Sequence, residues 1–93
     1  MGRHAPWGYP VRVTSIVQGL AVVAPTAAQG GDIWAIHVGE RHEHAGIVSS
    51  VTPGLPGTRP VIGIDNDSSG QGGVRTNDWG RHFHNAGNFY RWP

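Results

Sequence analysis

The chain predicts an α+β or mostly β fold, a small antiparallel sheet or partly open barrel with little helix. Three observations point there. Short apolar, β-branched runs recur at close spacing, at 33–38, 45–51 and 61–64. Turn residues punctuate them: the chain holds 15 Gly and 7 Pro, which suits strands and tight turns better than long helices. Its 93 residues make one small domain with a modest core.

Within that domain, 1–28 reads as an irregular, apolar lead-in and 29–93 as the sheet region. Pro6, Gly8 and Pro10 keep 1–15 irregular. Residues 16–24 are apolar, but the run is too short for periodicity to choose helix or strand. Arg3 and Arg12 before it and Ala27-Ala28 after it imitate a signal peptide. Gln18 and Gly19 interrupt the run, however, and Pro6 and Pro10 are foreign to such a leader, so a buried strand or short helix is expected. Pro25 and Gln29-Gly30-Gly31-Asp32 mark turns. A strand over 33–38, a polar turn over 39–43 and a strand over 45–51 follow. The Pro- and Gly-rich stretch 52–60 is a loop, 61–64 a short strand, and 65–73 a polar, Gly-rich turn. Residues 74–76 pair back as a short strand. The polar and aromatic stretch 77–88 shows no period, and 89–92 is a last strand stopped by Pro93.

Composition narrows the function classes. Formal net charge is +1, so nothing electrostatic favours nucleic acid or an anionic membrane as partner. No stretch is long and apolar enough to span a bilayer as a helix. The absence of Cys excludes a disulfide, a thiolate metal site and a thiol nucleophile within this chain.

His44, at the entrance of the 45–51 strand, is the first candidate for chemistry, because an imidazole titrates near neutrality and can act as general base. Asp65 and Asp67 are the second. Spaced by two at a strand end, they share a face, and either could orient the His44 ring from a neighbouring strand. Asp-Asn-Asp-Ser-Ser-Gly is equally good turn chemistry. Asp65, Asp67, Ser69 and Gly70 also half-match a calcium loop, but Thr76 stands where the closing Glu belongs. His42-Glu43-His44 and His82-Phe83-His84 are His-x-His pairs. On strands each would present two imidazoles to one side, as a metal site needs. Most large rings are expected in the core, with Trp79, in Asp78-Trp79-Gly80-Arg81, the best candidate for an exposed ring and Trp34 a second groove-lining candidate.

Gly31-Asp32-Ile33, His44-Ala45-Gly46-Ile47-Val48, Ile64-Asp65-Asn66-Asp67-Ser68-Ser69-Gly70 and Tyr90-Arg91-Trp92-Pro93 together resemble the C-terminal part of a CHAP domain. That family comprises cysteine- and histidine-dependent amidohydrolases/peptidases, distant relatives of papain-like enzymes. The likeness covers about residues 29–93. It implies a sheet half-domain with His44 as the catalytic histidine, Asp65 as the acidic third member and Asp67 in place of the family's amide. Trp79 and Trp34 would be substrate-binding rings. It implies hydrolysis of amide bonds in bacterial peptidoglycan, no cofactor, and a location at the cell wall or on a phage. The family's nucleophilic Cys, which opens a helix before the Gly-Asp strand, is missing here. Thr14 and Ser15 are the only hydroxyls near its position, and a hydroxyl is a poorer nucleophile than a thiolate. The chain is therefore expected to be inactive alone: a fragment completed by an upstream Cys-bearing segment, or an inactive derivative.

Three other readings compete: a cell-wall glycan- or peptide-binding module, a structural phage-type component, and a metal-binding protein using the His-x-His pairs. As a fragment, the chain should expose apolar surface around 16–24 and Trp34 and self-associate.

Overall fold

A computed structural model describes residues 12–67 and 74–93, with Asp67 described by its backbone alone. The architecture is mostly β, as the sequence predicts. One open antiparallel sheet contains β1 (Ala21–Val23), β2 (Ile33–Ile36), β3 (His44–Thr52), β4 (Val61–Asp67), β5 (Val74–Asp78) and β6 (Asn88–Arg91). The spatial order is β1-β6-β2-β3-β4-β5, so the last strand inserts between the first two. A single short helix, α1 (Val13–Val17), and a 3-10 turn (Pro25–Ala27) are the helical elements among the described residues. No helix there is long and apolar enough to cross a membrane.

The 16–24 run resolves into both of its alternatives. Its start completes α1 and its end forms the edge strand β1. Burial is the expectation that fails: Ile16 is exposed and Val22 is 68% exposed. The helix also begins inside the stretch expected to be irregular, and 1–11 lies outside the described residues. Val13-Thr14-Ser15-Ile16-Val17 is rich in β-branched residues, which are weak helix formers. Its first turn is held from outside. The Glu43 carboxylate accepts from Val13 N (2.9 Å) and Thr14 N (3.3 Å), taking the place of a local cap.

The alternating pleat divides the sheet into two faces. On one lie Phe89, Trp34, Val48, Ile62 and Ile64, all essentially inaccessible to solvent, with Ala28 and Trp79 packed against them. The 79–87 segment folds over this face. Both indole N–H groups, of Trp34 and Trp79, donate to one carbonyl, Ala86 O, at 2.9 and 2.7 Å. Phe83 stacks on Trp34 with centroids 4.2 Å apart, and Phe89 meets Trp79 edge-on at 5.0 Å. Gly87 makes the approach possible. Its φ is +86°, and an added Cβ would lie 2.6 Å from Trp34 Nε1.

Trp79 is thus not the exposed ring the sequence suggested, and Trp34 is not exposed either; they are 1% and 0% accessible. The polar neighbours of Trp79 sit in the turn around it, while its own ring supplies the large apolar area that a small core needs.

The other face carries Val22, Ile33, Ala45, Ile47, Asp65 and Val74. Ile47 (48% exposed) and Val74 (70%) are open on it.

Two of the sequence fragments noted above meet in space. Arg91 on β6 reaches Asp32 before β2 in a two-pronged pair, Nε to Oδ1 and Nη2 to Oδ2, both 2.7 Å. Arg91 Nη2 also donates to Ala27 O at 2.9 Å. Asp32 is buried and further accepts from Gln29 N at 2.8 Å. The Arg91 hydrogen bonds hold its carboxyl below the usual range against the cost of burial, and they raise the Arg91 pKa in turn. These two residues tie the strand start to the chain end, and their role is architectural.

Candidate functional site

His44 opens β3, and β4 is its antiparallel neighbour through the register Ile47↔Asp65 and Val48↔Ile64. Side chains alternate along both strands, so His44, Gly46 and Val48 share the core-side face with Ile64 and Asn66. Asn66 is the residue brought to His44, with Nδ2 2.8 Å from the ring Nε2. It is buried, at 5% exposure, while the imidazole is half-buried. The ring meets Trp34 edge-on, centroids 6.0 Å apart with planes at 82°. Gly46 permits this closeness. A Cβ there would lie 2.6 Å from Ile64 Cγ2 and 3.1 Å from Asn66 Cβ.

Asp65 does not orient His44. It projects from the opposite face, where its Oδ1 accepts from the Thr76 hydroxyl. The strand expected to stop at 64 continues through 67, because β5 pairs along it from Gly63↔Asp78 to Asp67↔Val74. Residues 65–67 therefore follow the pleat instead of a turn, and the middle residue of Asp-Asn-Asp faces the histidine. The Asp67 side chain, like Ser69 and Gly70 of the half-matched calcium loop, lies outside the described residues.

Asn77, which no motif marked, extends the pair. It stands across from Ile64 on β5, and its Nδ2 lies 3.3 Å from Asn66 Oδ1. The result is a chain of three side chains from three adjacent strands, His44–Asn66–Asn77. A signal for it existed: on an extended strand, 66 shares its face with 64, whose burial the apolar run implied.

Glu43, next to His44, anchors the site's approach. Its carboxylate accepts from Gly39 N (2.6 Å) and Thr14 Oγ1 (2.7 Å) and pairs with Arg12 Nε (2.8 Å), besides holding the first turn of α1. The Thr14 hydroxyl bond and these neighbours pull its pKa from the ordinary 4.5 to about 2. Thr14, a hydroxyl weighed as a stand-in nucleophile, is thus committed to Glu43 and away from the imidazole. Among the described residues, His44 has one hydrogen-bond partner, Asn66.

The His-x-His pairs are not on strands. His42 lies in the turn before β3, and His84, with Asn85, takes a left-handed conformation (φ 53° and 59°) inside the 79–87 segment. No three His, Asp or Glu side chains gather as a metal-ligand group among the described residues. A cleft of about 520 Å³ lies on the face opposite His44, lined by Ile16, Ile33, Ala45, Ile47 and Val74; it borders Asn66 and Gly46 but is not the His44 site.

Comparison with protein-family models, curated proteins and solved structures finds no match to this chain.

Proposed function

We propose that this chain is the sheet half of a CHAP-like cysteine amidohydrolase/peptidase domain directed at bacterial peptidoglycan, and that it carries the proton-relay part without the nucleophile. The observation supporting this most is the 2.8 Å contact between His44 Nε2 and Asn66 Nδ2 on adjacent strands. An imidazole held by a buried amide is what histidine-assisted attack on a carbonyl requires. In a complete site a thiolate would attack the amide carbonyl, His44 would pass the proton to the leaving amine, and Asn66 would fix the ring. An amide suits that task because it can donate to a ring lone pair or accept from a ring N–H. With no Cys in the sequence, the chain alone binds and does not cut.

The test uses the full chain and purified peptidoglycan. Saturable co-sedimentation with no release of soluble fragments is the expected result. Absence of binding sinks the cell-wall reading. Release of fragments that disappears in His44→Ala would show that a nucleophile resides in this chain and would overturn the missing-thiol reading. In the gene, an open frame running upstream of Met1 through a Cys-bearing helix is expected for a fragment. An immediate in-frame stop codon leaves the non-catalytic binding module.

A further inference from the structure

The amide chain fixes more than the position of His44. Asn66 Oδ1 already accepts from Asn77 Nδ2, so the Asn66 amide turns its nitrogen to the ring. An amide nitrogen has hydrogens and no available lone pair, so Nε2 must present its own lone pair to it. In a neutral imidazole the hydrogen then sits on Nδ1. We propose that Asn77 is a positioning residue which, through Asn66, holds neutral His44 as the Nδ1–H tautomer. The free nitrogen of the resting ring is then a hydrogen-bond donor. No described residue accepts from it, which leaves it for an oxygen acceptor such as a peptide carbonyl.

This deepens the reading above and takes its functional meaning from it. A base working through Nδ1 needs the hydrogen on Nε2. To reach that state the Asn66 amide must turn over so that Oδ1 accepts from the ring, and Asn77 Nδ2 then loses its acceptor. Asn77 therefore favours the ring state that binds a carbonyl oxygen and opposes the state that takes a proton.

The experiment is two-bond nitrogen–proton correlation NMR on the full chain with ¹⁵N-labelled histidine, at about pH 9, where an ordinary imidazole is neutral. His44→Gln identifies the His44 signals by their loss. The wild type should show mostly the Nδ1–H pattern, although an unconstrained imidazole in water favours Nε2–H. Asn77→Ala should move the population to mostly Nε2–H. Asn77→Asp, which can only accept, should draw Asn66 Nδ2 to itself, turn Oδ1 to the ring and give the Nε2–H pattern more completely. A wild type that is mostly Nε2–H overturns the inference, and this reading needs no variant to fold. So does an unchanged His44 pattern in either folded Asn77 variant. None of these signals depends on peptidoglycan, so failure to bind cell wall would sink the functional reading and leave the tautomer result standing.

Discussion

Gly46 decides how near His44 and Asn66 can stand. A methyl group at this position would come within 2.6 Å of Ile64 Cγ2, 2.8 Å of Asp65 O and 3.1 Å of Asn66 Cβ. The carbonyl belongs to the β4 backbone and cannot move aside without the strand. Gly46→Ala should therefore lower stability by about 2 kcal/mol, the usual scale of overpacking, read as a lower midpoint in thermal unfolding. It should also weaken the His44–Asn66 contact, seen as a changed His44 ring signal. Gly87→Ala combines a left-handed φ with a contact of 2.6 Å on Trp34 Nε1. Its cost should be larger, about 3 kcal/mol, and should leave the His44 signals nearer to wild type once folded.

At the scale of elements, α1 depends on a side chain 30 positions away, Glu43. The sign of its pH dependence follows from the lowered pKa. Glu43 falls from an ordinary 4.5 to about 2 in the fold, so its contribution is complete above pH 4.5 and is lost as pH falls toward 2. Asp32, also lowered, acts in the same direction at the β2–β6 tie. Glu43→Gln should be less stable than wild type at pH 7, and the gap should close between pH 4.5 and about 2 in parallel melting series. A gap that is constant across this window would show that the carboxylate's charge is not what holds α1. Such long-range support explains what local reading missed. The strands β2, β3 and β6 were legible from β-branched runs and turns. The spacing rule that puts 65 and 67 on one face was also sound. Which face that is depends on β5 extending β4 past 64, and nothing local to Asp65-Asn66-Asp67 announces it. Trp79 was misjudged for the same reason: its neighbours in sequence are polar, while its neighbours in space are Phe89 and the Ala86 carbonyl.

Taken as a whole molecule, the sheet is covered on one face only. The 79–87 segment and the large rings close the Trp34 face. The reverse presents Ile47, Val74 and Val22 at 48%, 70% and 68% exposure, beside a cleft of about 520 Å³. At the two ends of the strand order, β1 and β5 each have a partner on one side only. Exposed apolar area and open edges both favour association, the first through the release of water and the second through unpaired backbone groups. Charge offers little opposition, since the formal net charge is +1. The isolated chain should therefore show a weight-average mass that rises with concentration in sedimentation experiments. Ile47→Lys should lower that mass without lowering the melting midpoint, because Ile47 points away from the core. If the mass stays monomeric throughout and melting is sharp and cooperative, the open face is compatible with water, and the half-domain reading loses its main support at this scale. Should Ile47→Lys leave association unchanged, the sheet edges carry it instead; a charge placed on β1, as in Val22→Lys, would then reduce it.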